Sequence, residues 1–437
     1  MPIFSRLSSK GLRLAVVAGL LASAAACGGS GDSGGGGGKV ELTLLSHYSD
    51  GPSKDGLDKM IAQWNKDNPK IQVKAQVVKF DDLLTTMTVR QTGGRGADIV
   101  SAYGLWGGQL MKANVVAKVP DDIATKIKAE YSPAALGAVT TGDTLLGYPT
   151  ELNTYVLFYN KKILAAAGIT KPPTTWAELA DDAKKTVKRD AKGNIQVEGL
   201  SLIQDGDNKS VHPFLSLLDS AGGKFLGADG TPQFDNDQGK AALKFEGDLA
   251  AAKASNASIS PTKQFRSGGV AMAIQAGWWI GSLKTQMKDK YASDVGVTAI
   301  PGPTPGSKGS LAYGFFMGVN QRSKHADEAW KFLTWMNEHK ASPSNGTAGD
   351  VTETGKWLAD QGLIPPRTAD QAEYKKSLSD PNLAPIYDAA TYAMAEPNQP
   401  GAYEAKTALH NAIMTVLADG KNPDDALAQA AKAVKPQ

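Results

Sequence analysis

From Val40 onward the chain alternates strand and helix patterns in an order that leaves few folds open. Val40, Leu42 and Leu44 alternate with polar residues up to Leu45, the pattern of a strand. Leu57, Met60, Ile61 and Trp64 recur at i, i+3, i+4 and i+7, which predicts a helix from about Gly56 to Asp67 stopped at Asn68-Pro69. Ile71, Val73, Ala75 and Val77 alternate as a second strand. Leu83, Leu84 and Met87 predict a helix ending at Gly93-Gly94, and Ala97-Asp98-Ile99-Val100 reads as a short buried strand. Strand, helix, strand, helix, strand requires crossover helices and a parallel α/β sheet.

In open sheets of this kind ligands bind beyond the carboxyl ends of the strands. Those ends are Ser46-His47-Tyr48-Ser49-Asp50 and the run from Ser101 to Gly107. Tyr48, Tyr103 and Trp106 stand there beside small polar residues, a composition suited to stacking on a sugar face and hydrogen-bonding its hydroxyls. Packing of the same rings under a loop is the alternative that composition leaves open.

The N-terminus has a different character. Residues 1–26 hold Arg6, Lys10 and Arg13, no acid, and an apolar run from Leu14 to Leu21, the order of an export signal and too short for a permanent membrane span. Ala22-Ser23-Ala24-Ala25-Ala26-Cys27 resembles the lipobox of bacterial lipoproteins, where the Cys is lipidated and becomes the first residue; Ala24 stands in place of the usual Leu. Cleavage by ordinary signal peptidase at Ala24-x-Ala26 is the alternative, and both cut the same bond and export the chain. Cys27 is the one cysteine of 437 residues, which excludes an internal disulfide framework and any Cys-based metal cluster. Residues 27–39, rich in Gly and Ser, read as a flexible tether.

Charge follows from the same segment. The formal net charge of +3, from 47 basic and 44 acidic residues, is carried entirely by Arg6, Lys10 and Arg13. Once residues 1–26 are removed the chain is formally neutral, with no basic excess to argue for nucleic acid.

Motifs further along carry a family resemblance. Leu146 to Lys161 (a strand ending Tyr159-Asn160-Lys161), Ala166-Ala167-Gly168-Ile169, and Pro172-Pro173-Thr174-Thr175-Trp176-Ala177-Glu178-Leu179 resemble the extracellular solute-binding proteins of ABC importers, family 1, the carbohydrate group. Thr175 and Glu178 also have the spacing of a capping box. The segment Gln264 to Trp279 is similar to the family's Phe-x-x-Gly-x-x-Ala-Met-x-x-x-Gly-x-Trp pattern. Val295 to Pro303, Tyr313 to Val319, Gly362 to Arg367 and Asn422-Pro423-Asp424-Asp425 follow in the family's order, so the resemblance runs from Val40 to the C-terminus.

The resemblance implies the periplasmic-binding-protein type II fold: two α/β lobes with a ligand cleft and a multi-strand hinge. The first lobe would be 40–151 with 302–360, and the second 152–301 with 361–437. It implies a substrate-binding component that captures an extracellular carbohydrate, expected to be a neutral di- or oligosaccharide, and closes over it. The ligand would pass to membrane permease subunits served by a cytoplasmic ATPase. The chain would be a monomer, lipid-anchored to the outer face of the bacterial cytoplasmic membrane, with no cofactor and no enzymatic activity.

The site residues also follow from the resemblance. Trp278 sits where the Gly-x-Trp motif places a sugar-stacking tryptophan, with Trp279 as the alternative because adjacent residues point to opposite sides. Asn153 and Tyr155 lie in the strand crossing between lobes, with Glu151 the nearest carboxylate for bidentate contacts to vicinal hydroxyls. His47, Tyr48, Tyr103 and Trp106 come from the first lobe, Tyr403 from the C-terminal stretch, and Arg367 is expected in an interlobe or capping contact.

Other chemistries fit less well. His47, His212, His325, His339 and His410 have no close spacing that would build a zinc or catalytic site. Asp235-x-Asp237 with Glu246 at the twelfth place suggests a calcium loop, but Lys240 stands where glycine is needed, so Asn236 or Asp237 is expected to cap a helix. Gly93-Gly94-Arg95-Gly96 lacks the Lys-Ser/Thr of a phosphate-binding loop. Two alternatives stay open: a receptor for a non-sugar solute such as a glycerol phosphodiester or an osmolyte, and an anchored glycosidase with paired carboxylates.

Overall fold

The computed structural model describes residues 38–49, 51–202, 210–255, 260–341, 350–376, 378 and 380–435. The expected export signal, Cys27 and nearly all of the expected tether lie outside the described residues. Among the described residues no helix is long and apolar enough to cross a membrane.

The main strands in chain order are β1 Val40–Ser46, β2 Ile71–Val77, β3 Ile99–Tyr103, β4 Tyr148–Asn160, β5 Ile195–Ser201, β6 Val270–Ala276, β7 Val295–Thr298 and β8 Leu311–Val319. β1 pairs in parallel with β2 from Val40↔Ile71 to Ser46↔Val77, and with β3 at Leu44↔Ile99. The crossover helices are Gly51–Asp67 and Phe80–Thr92. The parallel sheet expected from the sequence is therefore present, with boundary differences: the third strand begins at Ile99 rather than Ala97, and two others follow. The first helix begins five residues earlier, because its opening turn carries no apolar periodicity to reveal it. β3 runs on to Tyr103, since all five of its residues are buried and no alternation marks its end.

The ladder continues in the order β2-β1-β3-β8-β4-β6-β5, with β7 also on β4. β4 has 13 residues and serves two neighbourhoods. Its first half pairs antiparallel with β8 (Tyr148↔Met317 to Thr154↔Ala312), its second half with β6 (Tyr155↔Ala276 to Tyr159↔Met272). β8 in turn reaches β3 through Phe315↔Tyr103. A third crossing is made near Ile364, which bridges to Leu152. Arg367 bonds Glu130 (Nε to Oε2, 2.8 Å) and Asp370 (Nη1 to Oδ1, 3.3 Å).

Three apolar cores hang on this ladder. One gathers Leu42, Leu44, Leu57, Trp64, Phe332 and Leu333. The second gathers Tyr155, Leu157, Phe214, Leu243, Leu409 and Leu427; the third, Val156, Phe158, Phe265, Trp279 and Ile386. Consecutive residues of β4 thus enter different cores, because successive side chains of a strand leave on opposite faces.

Side-chain caps fix several helix starts. Thr175 Oγ1 accepts from Glu178 N at 3.2 Å, while the Glu178 carboxylate accepts from Thr174 N at 2.7 Å and from Thr175 N as well. Asn422 Oδ1 accepts from Asp424 N and Asp425 N. Asn236 Oδ1 accepts from Gly239 N at 2.9 Å, so the acidic run caps a helix.

Candidate functional site

The hinge strands leave a cavity of about 750 Å³ beside them. His47, Tyr48, Ser49 and Glu151 line it from the carboxyl end of β1 and the first half of β4; Trp278, Gly281, Ser282 and Lys284 line it from the loop after β6 and the helix Trp279–Met287; Gln361 and Gly362 come from the third crossing. Its position past the end of β1 is the one that parallel sheets favour for ligands.

Trp278 is 37% exposed, one of few large apolar side chains on the described surface. Its indole N–H serves the Tyr313 hydroxyl as a hydrogen-bond donor. Glu151 is the polar centre. It accepts hydrogen bonds from the Tyr48 hydroxyl (Oε1) and from Asn153 Nδ2 (Oε2, 3.3 Å), and burial raises its carboxyl above the usual range. His47 is pushed down to about 4 by burial, so it is a neutral ring at physiological pH. The other charges at the cavity are paired: Lys284 Nζ with Asp380 Oδ2 at 2.9 Å, and Asp360 Oδ2 with Lys356 Nζ at 2.5 Å. The cavity thus offers an aromatic face, hydrogen-bonding groups, and one carboxylate with no cationic partner among the described residues.

The structure brings together His47, Tyr48, Glu151 and Trp278 of the expected residues, with Asn153 buried behind Glu151. It places the others elsewhere. Trp279 is 1% exposed and packs edge-on against Phe158 and Phe265, each at 5.0 Å between ring centres. It opens the helix whose apolar face is core, which turns it away from the cavity. Trp106 is buried against Phe80 (5.1 Å) and Tyr103 (5.6 Å), the loop-packing outcome. Tyr403 is half-buried at the start of the helix Ala402–Asp419 and packs on the first core.

Tyr103 and Tyr155 belong to a second polar cluster, which sequence reasoning missed. The Tyr103 hydroxyl donates to Glu396 Oε2 and lies 3.3 Å from His212 Nε2; the Tyr155 hydroxyl is 2.6 Å from His212 Nδ1. Lys406 Nζ donates to Glu396 Oε1 at 2.8 Å, and His212 Nε2 sits 3.0 Å from the same oxygen. Burial would raise the Glu396 carboxyl, but the Lys406 ammonium and His212 outweigh it and hold it at about 2. One signal was available: Lys406 interrupts the buried stripe Ala402, Ala405, Leu409, Ala412, Ile413, and a lysine on such a stripe requires a buried partner.

Among the described residues no group of three or more His, Cys, Asp or Glu side chains could hold a metal ion. Comparison with known proteins gives a consistent answer. A profile described as bacterial extracellular solute-binding protein matches residues 50–343. The chain is 26% identical over 399 residues to the diacetylchitobiose-binding protein DasA of Streptomyces coelicolor, covering 89% of this chain and 88% of that one. It is 24% identical over 359 residues to a maltotriose-binding protein of Pyrococcus abyssi, covering 78% and 70%. In structure it is similar to the cyclic α-maltosyl-1,6-maltose-binding protein of Arthrobacter globiformis, with a TM-score of 0.73 and 25% identity, covering 91% of this chain and 98% of the other.

Proposed function

The chain belongs to the bacterial extracellular solute-binding protein family, and from that premise we propose that it captures a neutral di- or oligosaccharide for an ABC importer. The observation that carries the reading is the cavity lined by the half-exposed Trp278 together with Tyr48 and Glu151, the latter bonded to Asn153. A sugar ring has an apolar face to stack and hydroxyls to donate. The indole supplies the platform, and the carboxylate supplies two acceptor oxygens at a spacing that suits vicinal hydroxyls. With the remaining charges at the cavity paired, an anionic ligand would find no free cation there among the described residues. The diacetylchitobiose- and maltotriose-binding relatives support a carbohydrate over an osmolyte or phosphodiester.

In this reading the chain performs no chemistry on its ligand. The lobes, 40–151 with 302–360 and 152–301 with 361–437, close by bending at β4, β8 and the third crossing, and the closed form is what a permease with its cytoplasmic ATPase distinguishes from the empty one. The exported chain is held by a lipid on Cys27 at the outer face of the cytoplasmic membrane, as a monomer whose tether gives it reach.

Thermal-shift screening against neutral oligosaccharides tests the reading: a binder raises the melting temperature in a concentration-dependent way. Stabilisation by charged solutes alone would overturn it.

A further inference from the structure

The last turn of the helix Val211–Ser220 gathers the chain where it enters the hinge. Asp219 Oδ2 accepts from Ser310 N at 2.9 Å, just before β8 begins. The Met394 N–H also donates to this carboxylate, while being shared with Ser310 O at 2.9 Å. One turn earlier on the helix, Ser216 Oγ accepts from Leu311 N at 3.1 Å. Ser310 carries the grip across to β4: its hydroxyl donates to Tyr155 O at 2.8 Å and accepts from Tyr155 N at 3.1 Å. The approach is backbone to backbone, since a Cβ on Gly309 would fall 2.1 Å from Ser220 N.

These contacts hold one end of each passage. Tyr155 and Leu311 pack in the second core, whereas Tyr148, Phe315 and Met317 of the same two strands pack in the first. Bending for closure therefore falls between the two sets, and the helix end decides how firmly the second-core side is held. A firmly held end spares the ligand part of the cost of ordering the lobes.

A carboxylate at a helix C-terminus meets the negative end of the dipole, so helix stability does not account for Asp219. The residue is half-buried, and burial lifts its carboxyl from 3.8 to about 6 although the Ser310 and Met394 donors pull it down. A cavity of about 290 Å³ beside it, lined also by Gly223, Lys224, Met394 and Pro397, gives a proton a route in. The other titratable and charged groups on this side are Tyr392, Asp388, Lys308 and Lys224. The Tyr392 hydroxyl is pushed up to about 12 by burial and by the Asp219 and Asp388 charges, and Lys308 Nζ lies 4.2 Å from the centre of its ring. No ion pair to Asp219 occurs among the described residues. His212 stands on the same helix and turns to Glu396 (Nε2 to Oε1, 3.0 Å).

We propose that Asp219 is a pH-sensitive clamp on the hinge: ionised, it holds the Ser310 and Met394 amides and fixes the second-core ends for closure; protonated, it lets them loosen and ligand affinity falls. The inference rests on the capture-by-closure reading above. Grip and folding respond to pH with opposite signs. The folded value lies above the ordinary 3.8, so the stability this group contributes is fully present below about 3.8 and is lost as pH rises through about 6. Hydrogen bonds to the charged form strengthen in that same rise. Acidification thus weakens the clamp while this group does not destabilise the fold.

Calorimetric titration of the purified protein with maltotriose and with diacetylchitobiose, at pH about 7.5 and about 5, tests the clamp together with hydrogen exchange of the Ser310 and Met394 amides, corrected for intrinsic rate. On acidification wild type should lose about three- to tenfold in affinity, and both amides about tenfold in protection. Asp219→Asn keeps an acceptor but cannot ionise. At pH about 7.5 it should bind as weakly as wild type does at about 5, with a melting temperature no lower than wild type's. Any pH dependence left in the variant belongs to other groups such as His212. Parallel pH profiles in wild type and Asp219→Asn overturn the clamp, as does amide protection that stays constant through pH about 6. If the variant does not fold, the wild-type exchange profile decides. If neither sugar binds, the carbohydrate reading loses its support, and the exchange profile, which needs no ligand, still decides the clamp.

Discussion

Trp278 and Trp279 are adjacent in the chain and face opposite ways: the first is 37% exposed at the cavity, the second 1% exposed between Phe158 and Phe265. Their truncations should therefore fail differently. Trp278→Ala should weaken ligand binding by about 2 kcal/mol or more with little change in melting temperature. Trp279→Ala should cost about 3–5 kcal/mol of stability through the cavity it leaves. Calorimetry and denaturant unfolding on both variants check the contrast, and a Trp278 variant that binds normally removes that residue from the site.

Glu151 gives a prediction with opposite signs for stability and binding. Burial raises its carboxyl above the ordinary value of 4.5, so the unfolded chain releases this proton at lower pH than the folded one does. Its contribution is favourable below about 4.5 and is lost as pH rises through the higher folded value. Glu151→Gln should accordingly gain stability relative to wild type as pH rises from about 4 to 7. It should also lose about 1.5–3 kcal/mol of ligand binding, the worth of hydrogen bonds to a charged group. Melting curves across pH and ligand titrations measure the two effects separately.

Glu396 has the reverse sign. Its carboxyl lies at about 2 in the fold against an ordinary value of 4.5, so the stabilisation is present above about 4.5 and is lost as pH falls toward 2. Lys406→Met strands the carboxylate and should destabilise by about 3–5 kcal/mol at neutral pH, flattening the acid limb of the stability curve. Adding Glu396→Gln should recover much of the loss. A double variant no more stable than Lys406→Met would mean that the two charges do not act as a pair.

Cys27 bears on where the protein is found. On the proposed reading, Cys27→Ser removes the acceptor for the lipid while leaving the proposed export signal intact, so the chain should appear in the soluble extracellular fraction instead of the membrane fraction. Mass spectrometry of the N-terminal peptide should find a diacylglyceryl group on wild type and none on the variant. An unmodified wild-type cysteine would favour the ordinary signal-peptidase alternative.

Much of the fold was legible because its signals are local. Alternation in Val40–Leu45 and Ile71–Val77, the helical spacing of Leu57 to Trp64, and the caps Thr175, Asn236 and Asn422 each depend on residues a few positions apart, and each appears in the structure. The site was legible only in part. His47, Tyr48, Glu151 and Trp278 line one cavity, whereas Trp106, Tyr103, Tyr155 and Trp279 have equally suitable chemistry and are turned elsewhere. Composition names the rings able to stack on a ligand; it does not say which of them the cores consume.

By itself, then, the sequence determined the parallel sheet, its crossover helices, the helix caps and the family, because periodicity, capping and motif order are properties of short stretches. The tertiary structure alone decided that β4 divides its two halves between β8 and β6, that Trp278 and not Trp279 meets the cavity, and that Lys406 finds Glu396, His212 and Tyr103. Lys406 and Tyr103 lie 303 positions apart, and Lys406 and His212 lie 194 apart. Contacts of that kind are set by how whole elements pack, and no local pattern encodes them.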